Sequence, residues 1–284
     1  MKRPAHYIAT ILLAFISFST ANAAKMSMPE TVVIEAGSFM YRASGEFLKE
    51  RYPVDAPMQK IAFAVPFEFM KYQVLAKDYE QCVTERVCGE PLNQRRHSEN
   101  LPITSVSYQD AINFAKWLSD KTDVNWRLPT DEEWAFAAGS RFVDDAINAK
   151  TNTNNPAERW LTKYKKYADL ETGNDPVIKP SGSYGSNENG IYDLSGNVWE
   201  WTDSCYTRTR LDSDGKKLSQ SDNCGVRIAA GQHRAYISYF IQDAKGGGCS
   251  VGAPPTYLGI RLIKMPRANL LERILNFVDL TGRR

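Results

Sequence analysis

Between Gly190 and Trp201 the chain reads Gly-Ile-Tyr-Asp-Leu-Ser-Gly-Asn-Val-Trp-Glu-Trp, and this stretch constrains the fold more than any other. Gly196 lets the backbone turn tightly. Trp199 and Trp201 are two residues apart, so in a strand they share a face, and at least one of them is expected to be purely structural. Asp193 and Glu200 bring two carboxylates to the same stretch. The segment therefore predicts a polar turn running into a core strand over Gly196 to Thr202.

The chain has 284 residues, 43% hydrophobic and 24% charged, which suits a folded globular protein and excludes a disordered or collagen-like one. Lys2 and Arg3 precede an apolar run from Ile8 to Phe18, and Ala21-Asn22-Ala23 follows as an A-x-A site. This pattern predicts a secretory signal over residues 1–23, with export to the periplasm. A retained anchor is the other reading, but the run is short for a bilayer. No later segment is apolar enough to span a membrane. Without Lys2 and Arg3 the remaining Lys and Arg balance Asp and Glu. A neutral chain with no basic stripe is not expected to bind nucleic acid. In an oxidising compartment the cysteines read first as disulfides: Cys82 with Cys88 and Cys205 with Cys224, the latter bracketing a polar loop from Tyr206 to Asn223. Cys249 is left over, either buried and inert or a redox thiol.

Local signals place the other elements. Thr31 to Ile34 reads as a strand, and Lys60 to Val74 as strands interrupted at Pro66. Lys77 to Arg86 predicts a short helix. Ser107 with Asp110, and Thr130 with Glu133, form capping boxes that start helices over Ser107 to Lys121 and Asp131 to Ala138. Residues 140–185 read as a long polar loop region, and Tyr257 to Lys264 as a strand. Arg267 to Asp279 is amphipathic and predicts a helix that packs on its own domain or docks a protein partner.

Three segments occur in a telling order: Arg127-Leu-Pro-Thr-Asp-Glu-Glu-Trp134, Gly190 to Trp201, and Leu258-Gly-Ile-Arg-Leu262. With Val32 to Phe39 and Pro102 to Leu118 they resemble the formylglycine-generating-enzyme (sulfatase-modifying) domain family from about Thr31 to Lys264. The resemblance implies an α+β, C-type-lectin-like mixed fold, low in regular structure, in one domain over residues 24–266. It also implies calcium at positions matching Asp193, Gly196, Val198 and Glu200, the glycine and valine giving carbonyls; hard oxygens of this kind suit that ion. Asp at the first position, where the family commonly has an amide, should strengthen such a site. The competing reading is that the two carboxylates cap turns and pair with an arginine. A second family calcium site, expected near residues 155–180, finds no matching ligands. The family places Trp199 at the wall of the substrate pocket.

The chemistry departs from the family where it matters most. Formylglycine generation uses copper(I) on two thiolates, the soft ligands that ion requires. The aligned positions here are Tyr236 and Ile241, with His233 where the pocket serine stands. Conversion of a cysteine to formylglycine by that route is therefore not expected. A related branch builds a three-histidine iron site, but the histidines here are only His6, His97 and His233. Arg159 to Tyr164, Ser183 to Gly190, Asn223 to Arg227 and Gly246 to Pro255 resemble most the periplasmic PvdO-like branch, whose NirV-like relatives accompany nitrite reductase genes. That branch implies oxidative maturation of a pyoverdine-type siderophore fluorophore. His233, Arg234, Tyr236 and Cys249 are then the candidate catalytic residues, acting on a small-molecule or peptide substrate, with Trp199 stacking on its ring. His233 suits proton transfer; Arg234 suits a carboxylate or phenolate. Each has a structural alternative, and the sequence does not say whether copper or iron takes part. A non-catalytic binding module on the same scaffold is the second functional reading.

Overall fold

The computed structural model describes residues 27–92, 100–144, 177–194, 196–240 and 257–265, with a few positions between 155 and 165. Its elements in chain order are β1 (Thr31–Ile34), β2 (Gly37–Arg42), β3 (Glu46–Lys49), β4 (Tyr52–Val54), β5 (Met58–Phe63), β6 (Phe67–Met70), α1 (Ala76–Thr84) and α2 (Tyr108–Thr122). They continue with β7 (Trp126–Arg127), α3 (Asp131–Ala138), β8 (Trp199–Leu211), β9 (Lys217–Ala230), β10 (Arg234–Ser238), β11 (Leu258–Gly259) and β12 (Ile263–Lys264).

Both capped helices form where the capping boxes stand. The Ser107 side chain accepts from the Asp110 backbone, the Thr130 side chain from that of Glu133, and each acid reaches back to its cap residue. Such a cap contributes about 1 kcal/mol. Burial contributes more. Phe114, Trp117 and Leu118 line the inner face of α2, and each buried side chain of this size stabilises by about 1.5–3 kcal/mol.

The central sheet has strand order β10-β9-β8-β3-β4, with β11 parallel to the start of β8. A second sheet runs β1-β6-β12-β7, and β2 pairs with β5 as a separate ribbon. The central sheet separates two apolar cores. Trp199, Trp201, Ala229, Ala235 and Ile237 pack with α1 and α2. Ala230 packs with Trp134 of α3, Ile191 and Phe69. Trp199 and Trp201 do share a face, and the Trp201 indole donates to the Val106 carbonyl at 2.9 Å, as a structural residue would.

Three expectations change. Tyr206 to Asn223 is not a loop but most of a long antiparallel ribbon, with Tyr206 opposite Asn223 and Arg210 opposite Ser219. Both of its faces are polar, so it carries none of the alternation that marks a half-buried strand. The core strand expected from Gly196 begins only at Trp199, because Asp193 and Asn197 take left-handed backbone angles and keep the preceding residues in turns. The strand expected over Tyr257 to Lys264 is two short pieces. Leu258 pairs with Trp199 in the central sheet and Ile263 pairs with Phe69 in the second, so Ile260 to Leu262 crosses between sheets.

Both expected disulfides form: Cys82–Cys88 at the end of α1, and Cys205–Cys224 across the ribbon. The expected signal segment, most of the 140–185 loop region, Ile241, Cys249 and the C-terminal helix lie outside the described residues.

Candidate functional site

β10 carries three of the candidate residues or borders them. It is registered antiparallel on β9, with Arg234 opposite Ala230, Ala235 opposite Ala229 and Tyr236 opposite Ile228. Because side chains alternate, Arg234 and Tyr236 leave one face of the sheet and Ala235 the other. Glu200 of β8 lies opposite the same Ala230, so Glu200, Ala230 and Arg234 form a row across three strands. Helix α3 crosses that row.

Arg234 is fully buried and meets Asp131, the first residue of α3, through its Nε at 2.8 Å. Its Nη2 donates to the Arg42 carbonyl at 3.1 Å, and the rings of Tyr41 and Phe142 flank the guanidinium at 5.1 and 5.5 Å. The Tyr41 hydroxyl donates to the same Asp131 oxygen. Burial above all, and then the Asp131 charge, drives the Tyr41 phenol far above its usual range, so it stays a proton donor. Tyr236 is also buried; its hydroxyl accepts from the Gly45 backbone N–H at 2.7 Å and its ring meets Tyr206 edge-on at 5.1 Å.

His233 sits just before β10 in a turn where the Gly231 N–H donates to the His233 carbonyl. Its ring stands edge-on to Trp199, centroids 4.5 Å apart, and Nδ1 lies 3.0 Å from the Arg234 carbonyl, a distance at which an Nδ1–H tautomer donates. Gly231 permits this contact: a β-carbon there would lie 2.5 Å from the Trp199 ring. The structure thus brings His233 and Trp199 together. Trp199 belongs to the core of α2, whereas Arg234 and Tyr236 leave β10 on the opposite side toward α3 and β2.

Sequence reasoning missed Asp131 and Tyr41 as partners of Arg234. Asp131 was visible only as part of a capping box. Glu132 beside it is held protonated to a higher pH than usual by burial, then by the charges of Asp131 and Glu133.

The other carboxylates of the Gly190–Trp201 stretch are engaged. Arg261 holds Glu200 in a bidentate pair, Nε to Oε2 at 2.9 Å and Nη2 to Oε1 at 2.8 Å, with both side chains buried. The Trp134 indole donates to Oε2 at 2.6 Å, and Gln73 Nε2 to Oε1 at 2.9 Å and to the Val198 carbonyl at 3.2 Å. The Asp193 oxygens accept from the Tyr184 and Gly182 backbones at 2.9 and 2.5 Å. As placed, these donors do not fit a calcium ion. Among the described residues no three His, Cys, Asp or Glu side chains converge as metal ligands. Nor does Tyr236 fit copper(I), since a buried phenol hydrogen-bonded to a backbone amide offers no soft ligand.

The model of the sulfatase-modifying factor enzyme 1-like domain matches residues 17–266. The chain belongs to that family. The inactive C-alpha-formylglycine-generating enzyme 2 of Bos taurus is 30% identical over 180 residues, 56% of this chain and 54% of the relative. The formylglycine-generating enzyme of Streptomyces coelicolor is 30% identical over 114 residues, 39% of this chain and 34% of the relative. The matched part therefore spans about half, or less, of these curated relatives. The structure of PvdO from Pseudomonas aeruginosa aligns over 84% of this chain and 95% of its own, at TM-score 0.52 and 22% identity, a likeness of fold. The expected C-type-lectin-like α+β architecture is the fold observed.

Proposed function

We propose that this family member is an exported tailoring enzyme that oxidises an aromatic ring carried on a peptide, the dihydro form of a pyoverdine-type fluorophore, without a copper dithiolate. The observation that carries the reading is Tyr236. It stands at the first copper-thiolate position that the family alignment implies, and there it is buried with its hydroxyl fixed on Gly45. The disulfides Cys82–Cys88 and Cys205–Cys224 support an oxidising compartment, and the periplasm is the one proposed. Among the described residues no helix is long and apolar enough to cross a membrane.

In this reading the ring stacks beside Trp199, and His233 accepts a proton as the ring is oxidised. The ring loses two electrons and two protons. Dioxygen takes both and leaves as hydrogen peroxide, so each ring oxidised consumes one dioxygen and yields one peroxide. Arg234, neutralised by Asp131, positions β10 rather than binding substrate. The test offers the purified protein two peptides, one bearing the dihydro fluorophore and one a sulfatase-type cysteine. The expected result is a gain of fluorescence with equimolar peroxide from the first and no aldehyde from the second. Aldehyde formation from the cysteine peptide would overturn the reading.

A specific observation favours a second reading, a non-catalytic binding module. His233, Arg234 and Tyr236 are all buried, at 1%, 1% and 2% exposure, and the chain's relatives include an inactive formylglycine-generating enzyme. This reading predicts no turnover of either peptide, with a partner retained on pull-down.

A further inference from the structure

The family resemblance implies calcium on Asp193, Gly196, Val198 and Glu200, and the chemistry around Glu200 argues against it in this chain. A carboxylate accepts at about four lone-pair positions. Those of Glu200 face four N–H donors: Gln73 and Arg261 Nη2 on Oε1, and Trp134 and Arg261 Nε on Oε2. The Val198 carbonyl, another implied ligand, accepts from the same Gln73 amide. One nitrogen thus bridges two of the four implied calcium ligands, the place from which a cation would hold them. The Glu200 charge is also balanced already, because Glu200 and Arg261 are both buried and paired. A divalent ion bound there would face the guanidinium across a few ångströms of low-dielectric interior.

Gln73 is itself buried, and the end of its amide that faces the site is the nitrogen, which donates to Val198 and Glu200. Asp193 completes the turn by accepting two backbone N–H groups.

We propose that Gln73 and Arg261 take the cation's place, so that the Asp193–Glu200 turn of this chain is held by N–H donors and binds no calcium. The proposal is independent of the oxidation reading. It gives Gln73 a defined role. Gln73→Glu would exchange the bridging donor for a carboxylate oxygen, add a negative charge to the cluster, and create a need for a cation.

The test compares thermal unfolding midpoints of the mature protein, Asp193→Gly and Gln73→Glu, each in EGTA and in calcium chloride. The wild-type midpoint is expected to be the same in both, while Gln73→Glu falls by several degrees in EGTA and recovers in calcium. A calcium response of the wild type that persists undiminished in Asp193→Gly, which removes the side-chain oxygen and suits the left-handed backbone there, places an ion elsewhere and upholds the proposal. A wild-type response that Asp193→Gly abolishes would overturn it. A Gln73→Glu protein that folds and ignores calcium would overturn the role of Gln73. If Gln73→Glu does not fold, equilibrium dialysis of calcium against wild type and Asp193→Gly decides: equal binding upholds the proposal, and loss in the variant contradicts it.

Discussion

Two buried arginines beside α3 are held by different chemistry. Arg261 closes on Glu200, whose other donors are an indole and an amide, groups that do not titrate. It also donates to the carbonyls of Met70, Lys71 and Tyr192, and so ties the crossing between the two sheets to two other segments. Arg234 closes on Asp131, whose oxygen also takes a proton-bearing phenol, that of Tyr41. In the first centre every donor to the carboxylate is a guanidinium, amide or indole N–H. In the second, one donor is a phenol, whose proton can be lost in alkali.

The largest effect should come from Glu200→Gln. It leaves the buried Arg261 without its countercharge, which costs about 3–5 kcal/mol. Urea unfolding should show this as a large drop in midpoint. A loss below about 1 kcal/mol would mean that Arg261 is not locked as described. Asp131→Asn likewise leaves the buried Arg234 without its countercharge and should cost a similar amount, about 3–5 kcal/mol. If only one of the two substitutions reaches that range, the arginine of the other centre is not held by its carboxylate.

The third effect is pH dependence. The folded Tyr41 phenol titrates above its unfolded value of about 10, so above that pH the unfolded chain sheds a proton that the folded chain keeps. Its contribution is whole below pH ~10 and declines as pH rises toward the folded value. Stability should therefore fall with alkali, and Tyr41→Phe should flatten part of that slope; Tyr79, Tyr108 and Tyr206, also raised chiefly by burial, contribute to it as well. An unchanged slope in Tyr41→Phe would contradict the picture of the second centre. The smallest effect is Thr130→Ala, which removes the cap that sets Asp131 at the start of α3 and should cost about 1 kcal/mol, measured by the same urea titration.

The helices were legible because their signals are local. Ser107 and Asp110, or Thr130 and Glu133, are three residues apart and need nothing from the rest of the chain. The shared face of Trp199 and Trp201 followed from strand periodicity alone. The ribbon after Trp201 was not legible, since its polar faces give no alternation and its partner strand is set by pairing across a turn. The break between β11 and β12 depends on a change of sheet that no local pattern announces. The candidate site was half legible. The motif exposed His233, Arg234, Tyr236 and Trp199, but Tyr41 and Asp131 lie 90 residues apart and meet only in the fold. That Glu200 would pair with an arginine was one of two readings; that Arg261 would share it with Gln73 and Trp134 was not visible.

Oxidation of an aromatic ring without copper thiolate chemistry is tested most directly by turnover of the dihydro-fluorophore peptide by protein stripped with a copper(I) chelator. Fluorescence gain should continue at the same rate in the stripped wild type and be lost in a folded His233→Ala variant. Turnover that requires added copper, or that persists undiminished in His233→Ala, would contradict the proposed chemistry.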